Sequence, residues 1–320
     1  MKKTAEFVSP KHPDKICDFI ADSILDAYLE GDRESRAGIE VMGGHKLITI
    51  NGEVTSKSKP NIPELVQNIV GKDYKVIVNI VLQSKEIAKG VDIGGAGDQG
   101  IMKGYATSET PEYLPLEYIL ARDLCKKIFA VYPYDGKTQV TIEDGKVKTI
   151  VASFQNTKSN ELLKLVKNIV ETDLTAKASA SAVEYLINPA GEWHQGGFDA
   201  DTGLSGRKLV IDNYGPEIPI GGGSFSGKDY TKVDRSGAYM ARRIAVELLE
   251  RKSAKKVFTK LAYAIGKKDP VMAVAIVDGE EKEIMGYDLS SKGMREYLKL
   301  DKVKFANTAR WGHFGRFEWR

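Results

Sequence analysis

"GGGSFSGKDYTKVDRS", Gly221 to Ser236, decides between two folds. Gly222, four residues, Gly227 and Lys228 fit the G-x-x-x-x-G-K pattern of a phosphate-binding P-loop. That loop continues with Ser or Thr, which holds a magnesium ion, and it follows directly on a strand. Position 229 is Asp, and no strand-like run ends at Gly222. A P-loop phosphotransferase, with its parallel sheet, is therefore disfavoured. What remains is a Gly-rich loop opening into the helix "DRSGAYMARRIAVELLE". Backbone N–H groups of such a loop bind anions, and Lys228 and Lys232 on either side add charge. Asp234 either caps the helix or binds a metal.

Working outward, the same order of elements appears three times. "DKICDFIADSILDAYLE" (14–30) places Ile16, Phe19, Ile20, Ile24, Ala27 and Tyr28 on one helical face. "GIEVMGGHKLITING" reads as strand, a turn at Gly43-Gly44, and strand. A helix near 63–70 and the strand "YKVIVNIVLQ" follow. The order returns with a helix at 116–131, a hairpin turned at Asp144-Gly145, the helix "NELLKLVKNIVET" and the strand "AVEYLIN". It returns again from 234, with strands "KVFTKLAYAIG" and "VMAVAIVD", a turn at Asp278-Gly279 and the helix "SKGMREYL". The expectation is an α+β fold of three similar units, 1–108, 109–195 and 196–320, each a mostly antiparallel sheet with helices on one face.

Composition narrows the function. Hydrophobic residues at 42% and charged residues at 28% describe a globular chain, and 320 residues exceed one ordinary core. A net charge of +3 carries no nucleic-acid signature. Two cysteines are too few for a disulfide framework or a zinc site. "MKKTAEFVSP" lacks the apolar core of a leader, no apolar run reaches membrane length, and a cytoplasmic location is expected.

Other candidate sites each have a plain reading. In "GAGDQG", Gly95, Gly97 and Gly100 fit G-x-G-x-x-G, but a dinucleotide turn needs a strand before it and a helix after. The last strand-like run ends near Gln83 and "IMKGYATSETP" is a poor helix, so a lid or an inert loop fits better. "KHPDK" (11–15) is either a helix start or a phosphate-facing His12 beside a metal-binding Asp14. Asp14, Asp18, Asp22 and Asp26 form an i, i+4 stripe that reads as a solvated face. "DADTGLSGRK" offers Asp201, Arg207 and Lys208, and "YDGK" offers Asp135 and Lys137. Cations interleaved with carboxylates suit a metal-bridged polyphosphate. There is no nucleophile elbow, and His45, His194 and His313 lack metal spacing. The chemistry this allows is a displacement, with reactants positioned and a leaving group stabilised.

"HPDK", "GAGDQG…GYAT", "INPAG", "TGLSGRK", "GGGSFSGKD…KVDRS" and "GHFGR", in that order, resemble the bacterial methionine adenosyltransferases (S-adenosylmethionine synthetases) from Glu6 to Arg316. The resemblance implies three similar α/β-sandwich-like domains in pseudo-threefold arrangement, with mixed or antiparallel sheets. It implies a homodimer or homotetramer with sites between subunits, and transfer of the adenosyl group of ATP to L-methionine followed by cleavage of the triphosphate. By position, His12 resembles the histidine facing the leaving group, Asp14 and Asp234 the Mg2+ ligands, and Glu40 the K+ ligand. Glu53 and Asp201 resemble acids near methionine. Lys137, Arg207, Lys208 and Lys228 resemble phosphate contacts, and Lys232 a contact shared with methionine. Asp135, Trp193 and Ser224 fall in nucleotide positions, Trp193 where Phe is usual, and Ile265 matches an apolar substrate contact. The chain departs from the family in a trimmed central region, almost no tail after "GHFGR", and Lys89 where a methionine-contacting Gln is usual. The competing expectation is a non-catalytic nucleotide- or polyphosphate-binding protein on the same fold. Such a protein would tolerate loss of Asp14, Glu53 or Asp201, and all three are present.

Overall fold

A computed structural model describes residues 1–84, 94–174 and 178–315 of the 320. The first stretch contains β1 (Lys2–Val8), α1 (Pro13–Gly31), β2 (Arg36–Gly44), β3 (Leu47–Thr55), α2 (Ile62–Val70) and β4 (Lys75–Val81). The second contains β5 (Gly100–Thr107), α3 (Leu116–Val131), β6 (Gly136–Glu143), β7 (Lys146–Phe154), α4 (Ser159–Ile169) and β8 (Ser179–Ile187). The third contains β9 (Gly203–Leu204), α5 (Val233–Lys252), β10 (Lys256–Tyr263), β11 (Met272–Val277), β12 (Glu280–Glu283) and α6 (Ser291–Leu298).

The described strands make three four-stranded sheets, ordered β4-β3-β2-β9, β1-β6-β7-β8 and β12-β11-β10-β5. The α+β reading is correct, and among the described strands only β3–β4 and β7–β8 run parallel. The order of strands shows an exchange that periodicity did not reveal. β1 leaves the first stretch to pair with β6, Lys2 opposite Glu143 through Val8 opposite Lys137. β5 leaves the second to pair with β10, and β9 leaves the third to pair with β2. Each long helix packs on the borrowed strand and on its neighbour: α1 on β9 and β2, α3 on β1 and β6, α5 on β5 and β10. One buried core runs across the units, from Phe7 and Ile20 through Ile39 and Tyr118 to Tyr239 and Phe314.

Two local expectations are corrected. The β2–β3 turn is His45-Lys46, with φ of 49° and 63°, while Gly43 and Gly44 end β2. Gly43 is there for clearance, because a Cβ would sit 2.6 Å from Ile48 and 2.7 Å from Phe198. The acidic stripe of α1 is not solvated. Asp14, Asp18 and Asp22 are buried. Their Oδ1 atoms accept from the N–H of Leu204 at 3.0 Å, Gly206 at 2.9 Å and Gly227 at 2.8 Å. Asp26 accepts from Phe305 and Ala306. The polar side of α1 faces loops that offer unpaired N–H donors, and a carboxylate is a strong acceptor for them. Lys15, Lys208 and Arg235 supply the opposing charge, which lets three acids stay buried at i, i+4 spacing.

Candidate active site

Position 229 answers the question raised by the loop. Asp229 is fully buried. Its Oδ2 accepts from Ala37 N–H at 2.7 Å and Lys232 Nζ at 3.0 Å, and its Oδ1 from Thr231 N–H at 2.8 Å. It ties the loop to the sheet and aims Lys232. It does not stand in for a metal-binding hydroxyl.

The residues singled out by the sequence fall into two clusters. The first gathers at the start of α1. His12 is the N-cap, its Nδ1 accepting from Asp14 N–H at 3.2 Å, with Pro13 in the first turn. Burial lowers the His12 ring to about 3, assisted by the charges of Lys208 and Lys137. A neutral ring whose Nδ1 accepts carries its proton on Nε2, which leaves one N–H donor for a ligand. Burial pushes the Asp14 carboxyl up, but the Lys208 hydrogen bond at 2.5 Å and Leu204 N–H outweigh it and hold the group ionised. Arg207 Nε lies 3.6 Å from Asp14 with its side chain 53% exposed. Asp135 is raised by burial and accepts from Gly197 N–H at 2.9 Å. Lys137 is exposed in β6, and Asp201 is exposed beyond Gly197. Trp193 donates to Ser153, which pairs with Lys137 in register.

The second cluster lines a cavity of about 440 Å³ that contains Glu40, Glu53, Asp98, Lys228, Lys232, Asp234 and Ile265 among its walls. Lys228 Nζ donates to Asp234 Oδ2 at 2.6 Å. Asp234 is in the first turn of α5 and does not cap it, since Lys232 holds the cap position. Ser205 Oγ donates to Glu40 at 2.6 Å. Ile265 is 54% exposed and lines this cavity. A neighbouring cavity of about 280 Å³ shares Asp98 and Asp234 and is lined by Gly221, Gly222 and Gly223.

Thus Asp14 and Asp234 lie in separate clusters, as do Asp201 and Glu53. No hydrogen bond or ion pair among the described residues joins the two groups directly. Ser224 lies between them, against Gly206. Lys89 lies outside the described residues. "GAGDQG" leads into strand β5 and not into a helix, which removes the dinucleotide reading. His194 is an exposed loop residue bonded to Asn156. Sequence reasoning missed Asp98 and the anchoring roles of Asp18, Asp22 and Asp229. The burial of Asp18 and Asp22 was concealed because acids at i, i+4 spacing on a helix are ordinarily solvated.

As metal donors, Asp14 and Asp234 are single carboxylates, each beside a lysine. No group of three His, Cys, Asp or Glu side chains able to hold a metal occurs among the described residues. That donor set does not form an all-protein cage, but it fits magnesium, which takes one or two carboxylates and draws the rest from phosphate and water.

Comparison with known proteins agrees along the whole chain. Models described as S-adenosylmethionine synthetase N-terminal, central and C-terminal domains match residues 1–90, 93–193 and 195–320. An S-adenosylmethionine synthase of Mycoplasmopsis pulmonis is 41% identical, over 98% of this chain and 93% of its own. One from Kosmotoga olearia is 38% identical, over 99% and 95%. The solved structure of an unusual S-adenosylmethionine synthetase from Campylobacter jejuni superposes with a TM-score of 0.89 at 32% identity, covering 99% of this chain and 95% of that one.

Proposed function

The chain belongs to the S-adenosylmethionine synthetase family, and from that premise we propose how its residues divide the work. It is a methionine adenosyltransferase. A lone pair on methionine sulfur forms a bond to C5′ of ATP, the C5′–O bond breaks, and its electrons leave on the triphosphate oxygen. Water then divides the triphosphate into phosphate and diphosphate.

The observation that carries the residue assignment is the sorting of charge around the two clusters. Neutral His12, with its proton on Nε2, donates to the leaving triphosphate. Lys137, Arg207, Lys208 and Lys228 lie along the phosphates, and Lys232, aimed by Asp229, reaches phosphate and methionine. Asp135, Trp193 and Ser224 hold the nucleoside, while Glu53, Asp201 and Ile265 hold methionine. A cation about 4 Å from a phosphate oxygen is worth roughly 4 kcal/mol at an effective dielectric near 20, before desolvation. Several such contacts, tightening as charge gathers on the leaving oxygen, supply much of a typical enzymatic barrier reduction.

Asp14 and Asp234 are assigned to Mg2+ and Glu40 to K+, and the metal when bound offsets phosphate charge. Neither cluster holds both magnesium carboxylates, so one copy's first cluster is completed by a second copy's second cluster. An open sheet face with Met42, Ile77 and Val81 exposed supports a homodimer or a pair of dimers. A cytoplasmic location is retained from the composition. Incubation with ATP and L-methionine, followed by mass detection of the sulfonium product, tests the reading. ATP turnover without that product overturns it.

A further inference from the structure

We propose that a third cavity, of about 400 Å³, is a binding site for a small aromatic carboxylate. It lies where α1 and the ends of α2 and α3 meet the loop that carries Phe198. None of the residues placed above in the two clusters lines it.

Its walls sort by chemistry. Phe19, Tyr74, Phe129 and Phe198 supply aromatic rings, and Ile69 and Val70 supply aliphatic surface. Tyr74 and Phe198 are buried, with ring centroids 6.2 Å apart. Phe19 and Phe129 are only half-buried, so they hold apolar area in water that a ligand would cover. No Asp or Glu lines the cavity, while Lys11, Lys15 and Arg310 do. Lys15 is paired with Asp18 and Asp212. Lys11 and Arg310 are exposed, and neither side chain has an acidic or hydrogen-bonding partner among the described residues.

A concave apolar surface with a few polar groups is the common form of a small-molecule site. Here the polar groups are two uncompensated cations at the rim, so the complement is a flat apolar body that ends in an anion. A guanidinium pairs with a carboxylate through two parallel hydrogen bonds. The same charges repel a sulfonium, which excludes the reaction product as the occupant. A polyphosphate would leave most of its charge unpaired, and an alkyl chain would forgo the ring contacts. The site also has a route to the first cluster. Lys11 precedes His12, and Phe198 follows Gly197, whose N–H holds Asp135.

Equilibrium dialysis of the full chain against 2-naphthoate, 2-naphthamide and octanoate, with and without saturating ATP, tests the proposal. One 2-naphthoate should bind per chain with a Kd of about 0.1–1 mM, a range suited to a ligand of this size, and ATP should not displace it. The uncharged amide should bind about 10-fold more weakly or worse, and octanoate more weakly than 2-naphthoate. Lys11→Gln combined with Arg310→Gln should raise the Kd of 2-naphthoate about 10-fold at an unchanged melting temperature, since both side chains are exposed. Val70→Trp, which fills the cavity, should abolish binding. If that variant melts lower, the exposed pair decides alone. Absence of binding, equal binding of acid and amide, displacement by ATP, or indifference to the double substitution each overturns the site. Octanoate binding as tightly as 2-naphthoate overturns the aromatic assignment.

Discussion

Arg235 lays its guanidinium along the Asp22 carboxylate, Nη1 to Oδ1 at 2.6 Å and Nη2 to Oδ2 at 2.9 Å, with both side chains fully buried. The same Nη1 reaches the carbonyls of Phe225 at 3.0 Å and Lys228 at 3.2 Å, and Asp22 also takes Gly227 N–H. The pair therefore fixes the backbone from which Lys228 projects. Asp22→Ala strands a buried guanidinium and should cost about 3–5 kcal/mol in urea unfolding, the range for breaking a buried pair. Asp22→Asn should cost less. A loss below about 1 kcal/mol for the alanine variant would place Arg235 outside the loop's support.

Lys228→Ala should lower kcat by about 10²–10³ at saturating ATP, as when one preorganised donor is removed. Folding should survive, since Lys228 is on a loop held by Asp229 and Arg235. Unchanged kcat would take Lys228 out of the reaction.

Gly223→Ala isolates Asp234. A Cβ there would lie 2.1 Å from its Cγ and 2.2 Å from Oδ1, so the carboxylate must move. The magnesium concentration for half-maximal rate should rise and kcat fall by about 10-fold or more, while unfolding stays within about 1 kcal/mol, because the site is a partly exposed loop. Normal magnesium dependence would contradict the assignment of Asp234.

His313 packs among Lys15, Asp212, Arg235, Tyr239 and Phe225, and burial followed by the Arg235 and Lys15 charges holds its ring well below 6.5. The unfolded chain protonates this ring near 6.5 and the folded chain does not, so its contribution is whole above that pH and lost as pH falls. Asp212 acts oppositely. Burial, against the pull of Lys15, pushes it from 3.8 to about 7, so its contribution is whole below 3.8 and lost as pH rises through about 7. His313→Gln should flatten the acid side of the stability profile and leave the alkaline side. Urea midpoints from pH 5 to 8 measure this, and an unchanged acid side refutes the role of His313.

The active species should be at least a dimer, because each cluster lacks groups the other holds. Sedimentation during turnover checks it: full activity at the 35.2 kDa monomer mass would contradict shared sites.

The helices and hairpins were legible because each carries its own period. α1, expected at 14–30, spans Pro13–Gly31, and α6 coincides with "SKGMREYL". β1 was not legible, because "KKTAEFV" gives three buried apolar residues and its partner, β6, lies far along the chain at Gly136–Glu143. β5 was hidden by the glycines at its start. The site was legible as residue types, yet their division into two clusters was not, since the strand exchange that sets it leaves no local trace. Likewise, Asp18 and Asp22 look solvated until the loops that cover them are in place.

The loan of β1, β5 and β9 around the three sheets makes the chain indivisible in a way that a three-part description conceals. A fragment of residues 93–193 would carry β5 with no β10 to receive it, and would leave β6 bare where β1 belongs. Each of the three pieces, expressed alone, would present a raw ladder of N–H and C=O groups, the kind of edge that recruits other chains. Melting should therefore pass through one transition for all three sheets. A lineage shortening the chain can trim loops between strands, but it cannot discard a unit without unravelling its neighbour.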